Sequence, residues 1–369
     1  MRAILVGVWK KGETKGEVYQ SLEELSGLVK AVKGKVLGKL LQKKDKPDPA
    51  TYIGKGRVND LNLLIRGTKA DTVVFDDPLT PSQVKELEKR LKAKVLDRTD
   101  LVLEIFTRRA KTKEAKLQVE LAKLQHELPR LYGKGKGLSR QAGGIGGRGP
   151  GEQVAEIKKR ILKKRIHKIK QELEEIRKRR KQQRKRRLKE VSREGDFVRV
   201  AIVGYTNVGK STLMKALTGR DVFRKDMLFA TLDTTTSARF VYPDLKILFA
   251  DTVGFIKKLP TELIEAFKAT LEEVQEADII LHVVDASDPK WLEKIGTVNE
   301  ILKKLELEGV KQIIVFNKVD RLVDSPERVS FLDHSMLISD IPNLYVSAEK
   351  KWNIDSLLNL IYRTVKGGG

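Results

Sequence analysis

Val198-Arg199-Val200-Ala201-Ile202-Val203, then Gly204-Tyr205-Thr206-Asn207-Val208-Gly209-Lys210-Ser211, then Thr212-Leu213-Met214-Lys215-Ala216-Leu217, is the stretch on which the fold turns. Its first part is an apolar, β-branched run that reads as a buried strand, and its last part is compatible with a helix. Between them stands the spacing of a phosphate-binding loop, in the strand-to-helix context such a loop requires. The glycines let main-chain N–H groups turn inward onto phosphates, and the helix N-terminus adds partial positive charge. Lys210 is placed to reach the β- and γ-phosphates, and Ser211, followed by Thr212, to give an oxygen to Mg²⁺. Alone, this loop specifies a nucleoside triphosphate and no particular base.

Three further segments narrow the chemistry. Asp251-Thr252-Val253-Gly254 closes a predicted strand over Lys246–Ala250, which puts Asp251 beside the metal shell and the Gly254 N–H near the γ-phosphate. Asn317-Lys318-Val319-Asp320 closes a predicted strand over Gln312–Phe316. The Asp320 carboxylate can accept from both N1–H and the exocyclic amine of guanine, whereas adenine has an acceptor at N1 and lacks that amine. Ser347-Ala348-Glu349-Lys350, after a predicted strand over Leu344–Val346, suits the loop whose backbone N–H meets guanine O6. The expected substrate is GTP and the product GDP, made by a hydrolytic enzyme. Four such motifs at strand carboxyl ends predict a doubly wound, mostly parallel sheet, a G domain over 196–366 and a flexible tail over 367–369. Further strands are expected near Arg239–Tyr242, and a closing helix over Asn353–Thr364.

At 369 residues the chain is long enough for two or three domains of about 150 residues each. Its 74 Lys+Arg against 50 Asp+Glu give a net charge of +24, which points to an acidic partner. Residues 1–196 hold 51 basic and 26 acidic side chains, net +25, and 197–369 hold 23 and 24, net −1. Within the first half, residues 154–190 carry 18 basic and 5 acidic side chains, net +13. A solubility device spread evenly would not segregate in this way. No aromatic residue occurs between Gly133 and Asp196, so phosphate contact rather than base stacking is expected, as structured RNA would provide.

The absence of Cys excludes a disulfide scaffold, a Cys-ligated metal and a thiol nucleophile. Four scattered His residues form no metal-ligand cluster in the sequence. No run reaches the about 18 apolar residues of a membrane span, and the N-terminal apolar run is too short for a signal peptide. A cytoplasmic protein without stable membrane anchoring is expected.

Residues 1–107 alternate predicted strands (Ala3–Val8, Lys35–Leu41, Thr72–Phe75, Lys94–Leu96) with amphipathic stretches (Ser21–Val32, Val58–Arg66, Ser82–Leu91), an α/β domain. Thr80 before Pro81 reads as a helix cap. Then the period changes. Leu117, Leu121, Leu124, Leu128 and Leu131 repeat at 4, 3, 4, 3, as do Leu162, Ile166, Ile169, Leu173 and Ile176. That seam predicts a long antiparallel helical hairpin over 108–195. Its tip, Gly133–Gly151, is too glycine-rich for helix and carries Lys134, Lys136, Arg140 and Arg148, either a binding tip or a linker.

With these residues in view, 198–366 resembles the G domain of translation-associated, Ras-like P-loop GTPases, and nearly the whole chain resembles the HflX family. The resemblance rests on Tyr52-Ile-Gly-Lys-Gly-Arg57, Gly143-Gly-Ile-Gly-Gly-Arg-Gly-Pro-Gly-Glu152, Gly204–Ser211, Phe229-Ala230-Thr231-Leu232-Asp233 and Asp251-Thr-Val-Gly-Phe255. It implies a ribosome-associated GTPase that engages the 50S subunit and its 23S-type rRNA and splits stalled or idle 70S ribosomes, and a monomer is expected. It also implies a switch at Phe229–Asp233, with Thr231 matching the family's Mg²⁺ ligand and Thr235 as the alternative. The stretch Thr234-Thr-Thr-Ser-Ala238 departs from the family's usual Pro-Thr and arginine. Phe255 stands where Ras-like enzymes hold a water-orienting Gln, so a low intrinsic rate is expected. Asn207 resembles the K⁺-coordinating asparagine of several bacterial GTPases, or is a turn residue. Two other functions compete: an RNA-binding large-subunit assembly GTPase, and a membrane-surface signalling GTPase, against which the lack of a Trp- or Phe-bearing amphipathic face counts.

Overall fold

The computed structural model describes residues 1–131, 150–191, 196–219, 235–242, 245–260, 263, 272–307, 309–332 and 341–367. The chain divides into two compact units, 1–174 and 175–369.

The first unit opens with β1 (Arg2–Trp9), α1 (Lys15–Ala31), β2 (Lys35–Lys43), α2 (Lys55–Thr68), β3 (Thr72–Phe75), α3 (Pro81–Leu91), β4 (Lys94–Asp97) and α4 (Arg98–Arg109). The strands form one parallel sheet in the order β2-β1-β3-β4. A parallel sheet is covered on both faces, and β1 shows it. Ile4, Val6 and Val8 pack with Leu61, Val73, Phe75 and Leu87, while the alternate residues Ala3 and Leu5 are equally buried. Thr80 caps α3 as expected, in a reciprocal capping box with Gln83. Gly54 is the N-cap of α2, and the chain reverses just before it, where Tyr52 adopts φ +64° and pairs with Asp48.

No periodicity announced α4. It starts on Asp97 and Asp100, which cap it reciprocally. Its first residue, Arg98, is fully buried and donates to Asp76 (2.6 Å), Glu24 (3.1 Å) and the Ser21 carbonyl (2.9 Å). Burial alone would lower the guanidinium pKa, and these carboxylates reverse that to a net rise.

The hairpin is present as α5 (Lys113–Leu131) and α6 (Pro150–Val191), so Pro150 and Gly151 are helical rather than part of the tip. The rest of the tip, 133–149, lies outside the described residues. Arg165 donates to both Glu120 oxygens at 2.7 and 2.9 Å, and Lys113 lies 3.8 Å from Glu172, so the two helices run antiparallel. Such exposed pairs add little stability. Leu117, Leu121 and Ile169 of the apolar seam are buried.

The second unit comprises β5 (Asp196–Gly204), α7 (Lys210–Thr218), β6 (Thr235–Tyr242), β7 (Leu245–Asp251), α8 (Glu272–Gln275), β8 (Ile279–Asp285), α9 (Trp291–Lys304), β9 (Lys311–Asn317), β10 (Asn343–Tyr345) and α10 (Ile354–Lys366), among the described residues. Its sheet order is β10-β9-β8-β5-β7-β6, parallel except for β6, which runs antiparallel to β7. The order reverses at β5, flanked by β7 and β8. A doubly wound sheet opens its ligand crevice at such a point, at the strand carboxyl ends. Gly204, Asp251, Asp285 and Asn317 end four neighbouring strands there.

Candidate functional site

The loop from Gly204 to Lys210 connects β5 to α7, and its shape depends on residues without side chains. Gly209 has φ +93°, and a Cβ there would lie 2.4 Å from Asn317 Nδ2. Any other residue would be strained and would collide. Lys210 is buried and donates from Nζ to the Gly204 and Tyr205 carbonyls at 3.1 and 2.9 Å. Burial lowers its ammonium to about 8, against the opposing pull of Asp251. Ser211 Oγ donates to Asp251 Oδ2 at 2.8 Å, so a hydroxyl in the first turn of α7 meets the buried carboxylate that ends β7. These hard oxygen donors fit Mg²⁺.

The next loop is stitched onto the first. Phe255 N donates to the Gly204 carbonyl (3.1 Å) and Thr206 N to the Phe255 carbonyl (2.8 Å). Lys257 N donates to the Tyr205 hydroxyl at 2.7 Å, and Thr252 Oγ1 to the Ile202 carbonyl at 2.8 Å. Gly254 is held so close that a Cβ would lie 2.9 Å from Lys210 Nζ and from Thr206 Cγ2. Phe255 is buried in the core. Its apolar ring has no hydrogen-bonding atom with which to orient water.

On the other side stand the residues expected to contact the base. Asn317 Nδ2 donates to the Val208 carbonyl (2.8 Å), while Asn317 Oδ1 accepts from Ala348 N (3.0 Å). Lys318, at φ +66°, donates to the Asn207 carbonyl (2.6 Å) and to Asp285 (2.8 Å). Burial would raise the Asp285 carboxyl, and the bonds from Lys318 and Ser287 bring it below its usual range. Ser347 Oγ donates to Asp320 Oδ1 at 2.5 Å, which aims that carboxylate. Glu349 is exposed beside this loop, and Val253 is buried behind Gly254.

The structure thus gathers Gly204 to Thr212, Asp251 to Gly254, and Asn317, Lys318, Asp320, Ser347 and Ala348 at one end of one sheet. Phe229 to Asp233, including Thr231, lie outside the described residues. Thr235 opens β6 opposite Asp251 in the ladder. Asp285 and the Tyr205–Lys257 bond were missed in the sequence. Asp285 had a signal, since it ends an apolar strand as Asp251 does. The bond between a tyrosine hydroxyl and a main-chain N–H had none.

Among the described residues one cluster could hold a cation, Asp97, Asp100 and His126. Arg130 occupies it, donating to Asp97 at 2.9 Å and Asp100 at 2.8 Å. No helix among the described residues is long and apolar enough to cross a membrane.

Three family profiles match: GTP-binding GTPase N-terminal over 19–107, GTP-binding GTPase Middle Region over 109–187, and 50S ribosome-binding GTPase over 199–318. The chain is 46% identical over 321 residues to GTPase HflX of Alkalihalophilus pseudofirmus, covering 87% of this chain and 74% of the relative. It is 42% identical to GTPase HflX of Flavobacterium psychrophilum, covering 99% and 90%. The Escherichia coli GTPase HflX is 40% identical, with 89% and 75% covered. A crystal structure of SsGBP in complex with GDP matches with TM-score 0.50 and 26% identity over 100% of both chains.

Proposed function

Since this chain belongs to the HflX family of GTPases, we propose that it binds the large ribosomal subunit and uses GTP to split stalled or idle 70S ribosomes. The chain is a guanine-nucleotide-binding, GTP-hydrolysing enzyme. What supports the ribosomal reading is the charge, +25 over residues 1–196 and −1 over 197–369, in a chain whose G domain matches a profile described as ribosome-binding. The 50S subunit and its 23S-type rRNA supply the phosphates that such a basic half would engage.

The chain divides by role into an α/β domain (1–107), a basic hairpin (108–195), a G domain (196–366) and a short tail. In the G domain, the loop 204–212 holds the phosphates, Asp320 accepts from guanine, and Asn317, Ser347, Ala348 and Glu349 frame the base. Ser211, with Thr231 or Thr235 from the switch, would hold Mg²⁺, which when bound neutralises charge on the β- and γ-phosphates. Lys210, now folded onto its own loop, turns to the phosphates, and Gly254 N–H takes the γ-phosphate. With Phe255 unable to orient water, unassisted hydrolysis is slow, and the ribosome supplies the missing element, with K⁺ at Asn207 as a second source.

Sucrose-gradient sedimentation tests the reading. Loss of the 70S peak with GTP supports it, whereas an intact 70S peak with binding to immature 50S particles identifies an assembly GTPase instead. Association with anionic vesicles but not with subunits would identify the membrane-surface alternative.

A further inference from the structure

Thr206 is buried, at 6% exposure, and its Oγ1 has no hydrogen-bond partner among the described residues. Native proteins rarely leave a buried hydroxyl unpaired, and each exception calls for an explanation. The residue's own amide is committed to the Phe255 carbonyl at 2.8 Å. Its remaining donor is therefore the hydroxyl. Its side chain is located through its methyl group, since a Cβ built on Gly254 would meet Lys210 Nζ at 2.9 Å, Thr206 Cγ2 at 2.9 Å and Thr206 Cα at 3.0 Å, and the hydroxyl stands on the same Cβ as that methyl. Thr206, Lys210 and Gly254 converge on one spot, and the latter two are the groups assigned above to the γ-phosphate.

We propose that the Thr206 hydroxyl donates a hydrogen bond to a γ-phosphoryl oxygen and is a side chain by which this loop distinguishes GTP from GDP. The proposal rests on the nucleotide site described under the proposed function. In the reaction, the water oxygen bonds to the γ-phosphorus as the bond to the β–γ bridging oxygen breaks. The bridging electron pair leaves with GDP, and the water proton ends on the released phosphate. A donor on a non-bridging γ-oxygen stabilises charge both before and during this transfer. Its loss accordingly raises KM more than it lowers kcat.

Thr206→Val removes the hydroxyl while keeping the shape of the side chain, and Thr206→Ser keeps the hydroxyl. The Val variant is expected to bind a non-hydrolysable GTP analogue about tenfold more weakly, the scale of one hydrogen bond to a charged group, with GDP affinity altered far less. Without nucleotide it should melt no lower than the wild type, because no bond within the protein is lost. The Ser variant should restore affinity for the analogue. Equal weakening for GDP and the analogue, unchanged affinity for both, or a lower melting temperature of the nucleotide-free Val variant would each overturn the proposal. A wild-type protein that binds neither nucleotide would instead overturn the underlying site.

Discussion

Asn317 Nδ2 donates to the carbonyl of Val208 at 2.8 Å, joining the base loop to the phosphate loop across 109 residues of sequence. Its Oδ1 holds Ala348 N at 3.0 Å, so one buried amide fastens three loops. Asn317→Ala leaves a buried carbonyl and a buried N–H unpaired, a loss of about 2–4 kcal/mol at about 1–2 per group. Nucleotide affinity should fall with it, because the loops no longer share a frame. Urea denaturation and GDP titration check both, and wild-type values in either would show that the loops hold their places independently.

In the proposed site base selectivity rests on Asp320, whose Oδ1 accepts from Ser347 Oγ. Asp320→Asn turns part of a double acceptor into a donor that faces the guanine N–H groups. Affinity for GTP should drop and affinity for xanthosine triphosphate should rise. Unchanged GTP binding in an equilibrium titration would remove Asp320 from the base site.

The first unit carries its own pH dependence. Burial alone would raise the Asp100 carboxyl, but hydrogen bonds from His126 and Arg130 bring it down to about 2. A carboxylate lowered on folding contributes stability that is complete above its unfolded value of about 4 and is lost as pH falls toward 2. Asp97 is shifted the other way, raised by burial and by Asp100, and partly offsets this. Arg130→Met leaves a buried carboxylate at Asp97 and a half-buried one at Asp100 without this cation, a destabilisation of about 3 kcal/mol near neutral pH. Acid unfolding followed by circular dichroism should move to higher pH in the variant. An unmoved midpoint would mean that Arg130 contributes nothing to the cluster.

What could be read in advance follows from how local each signal is. Gly204 to Ser211 is legible because strand, loop and helix are contiguous and each residue type has a distinct task. Asp251, Asn317 and Asp320 are legible because each sits where an apolar run stops, which in a parallel sheet is the ligand edge. Arg98 was not legible, since a charged residue enters a core only when distant partners such as Glu24 and Asp76 neutralise it. The Lys257 N to Tyr205 hydroxyl bond was illegible for the same reason. One partner is main chain, and their meeting depends on the register that brings Phe255 beside Tyr205.

In the proposed site Phe255 leaves a charge-stabilising role vacant at the γ-phosphate. Asn207 stands at the mouth of the loop with φ +63°, its carbonyl fixed by Lys318 Nζ. Hydrolysis should be faster in K⁺ than in Na⁺ at equal ionic strength, and Asn207→Ala should remove the difference. Equal rates in the two salts would leave the ribosome as the sole activator and Asn207 as a turn residue.

The last prediction concerns the hairpin. Its helices are held antiparallel by Glu120 with Arg165 and by an apolar seam, and between them lie eighteen residues, 132–149, containing Lys134, Lys136, Arg140 and Arg148. Charge-driven binding to rRNA releases counterions, so affinity for 50S subunits should fall steeply with salt, with a log–log slope of several units if about five or more phosphates are engaged. Replacing 133–149 by a short turn should leave nucleotide binding intact, because Gly204 to Ser211 belongs to the other unit. It should abolish conversion of 70S ribosomes to subunits and most ribosome-stimulated turnover. A shortened protein that still splits ribosomes at the wild-type rate in sucrose gradients would reduce the tip to a linker and place the ribosome-binding charge on α6 alone.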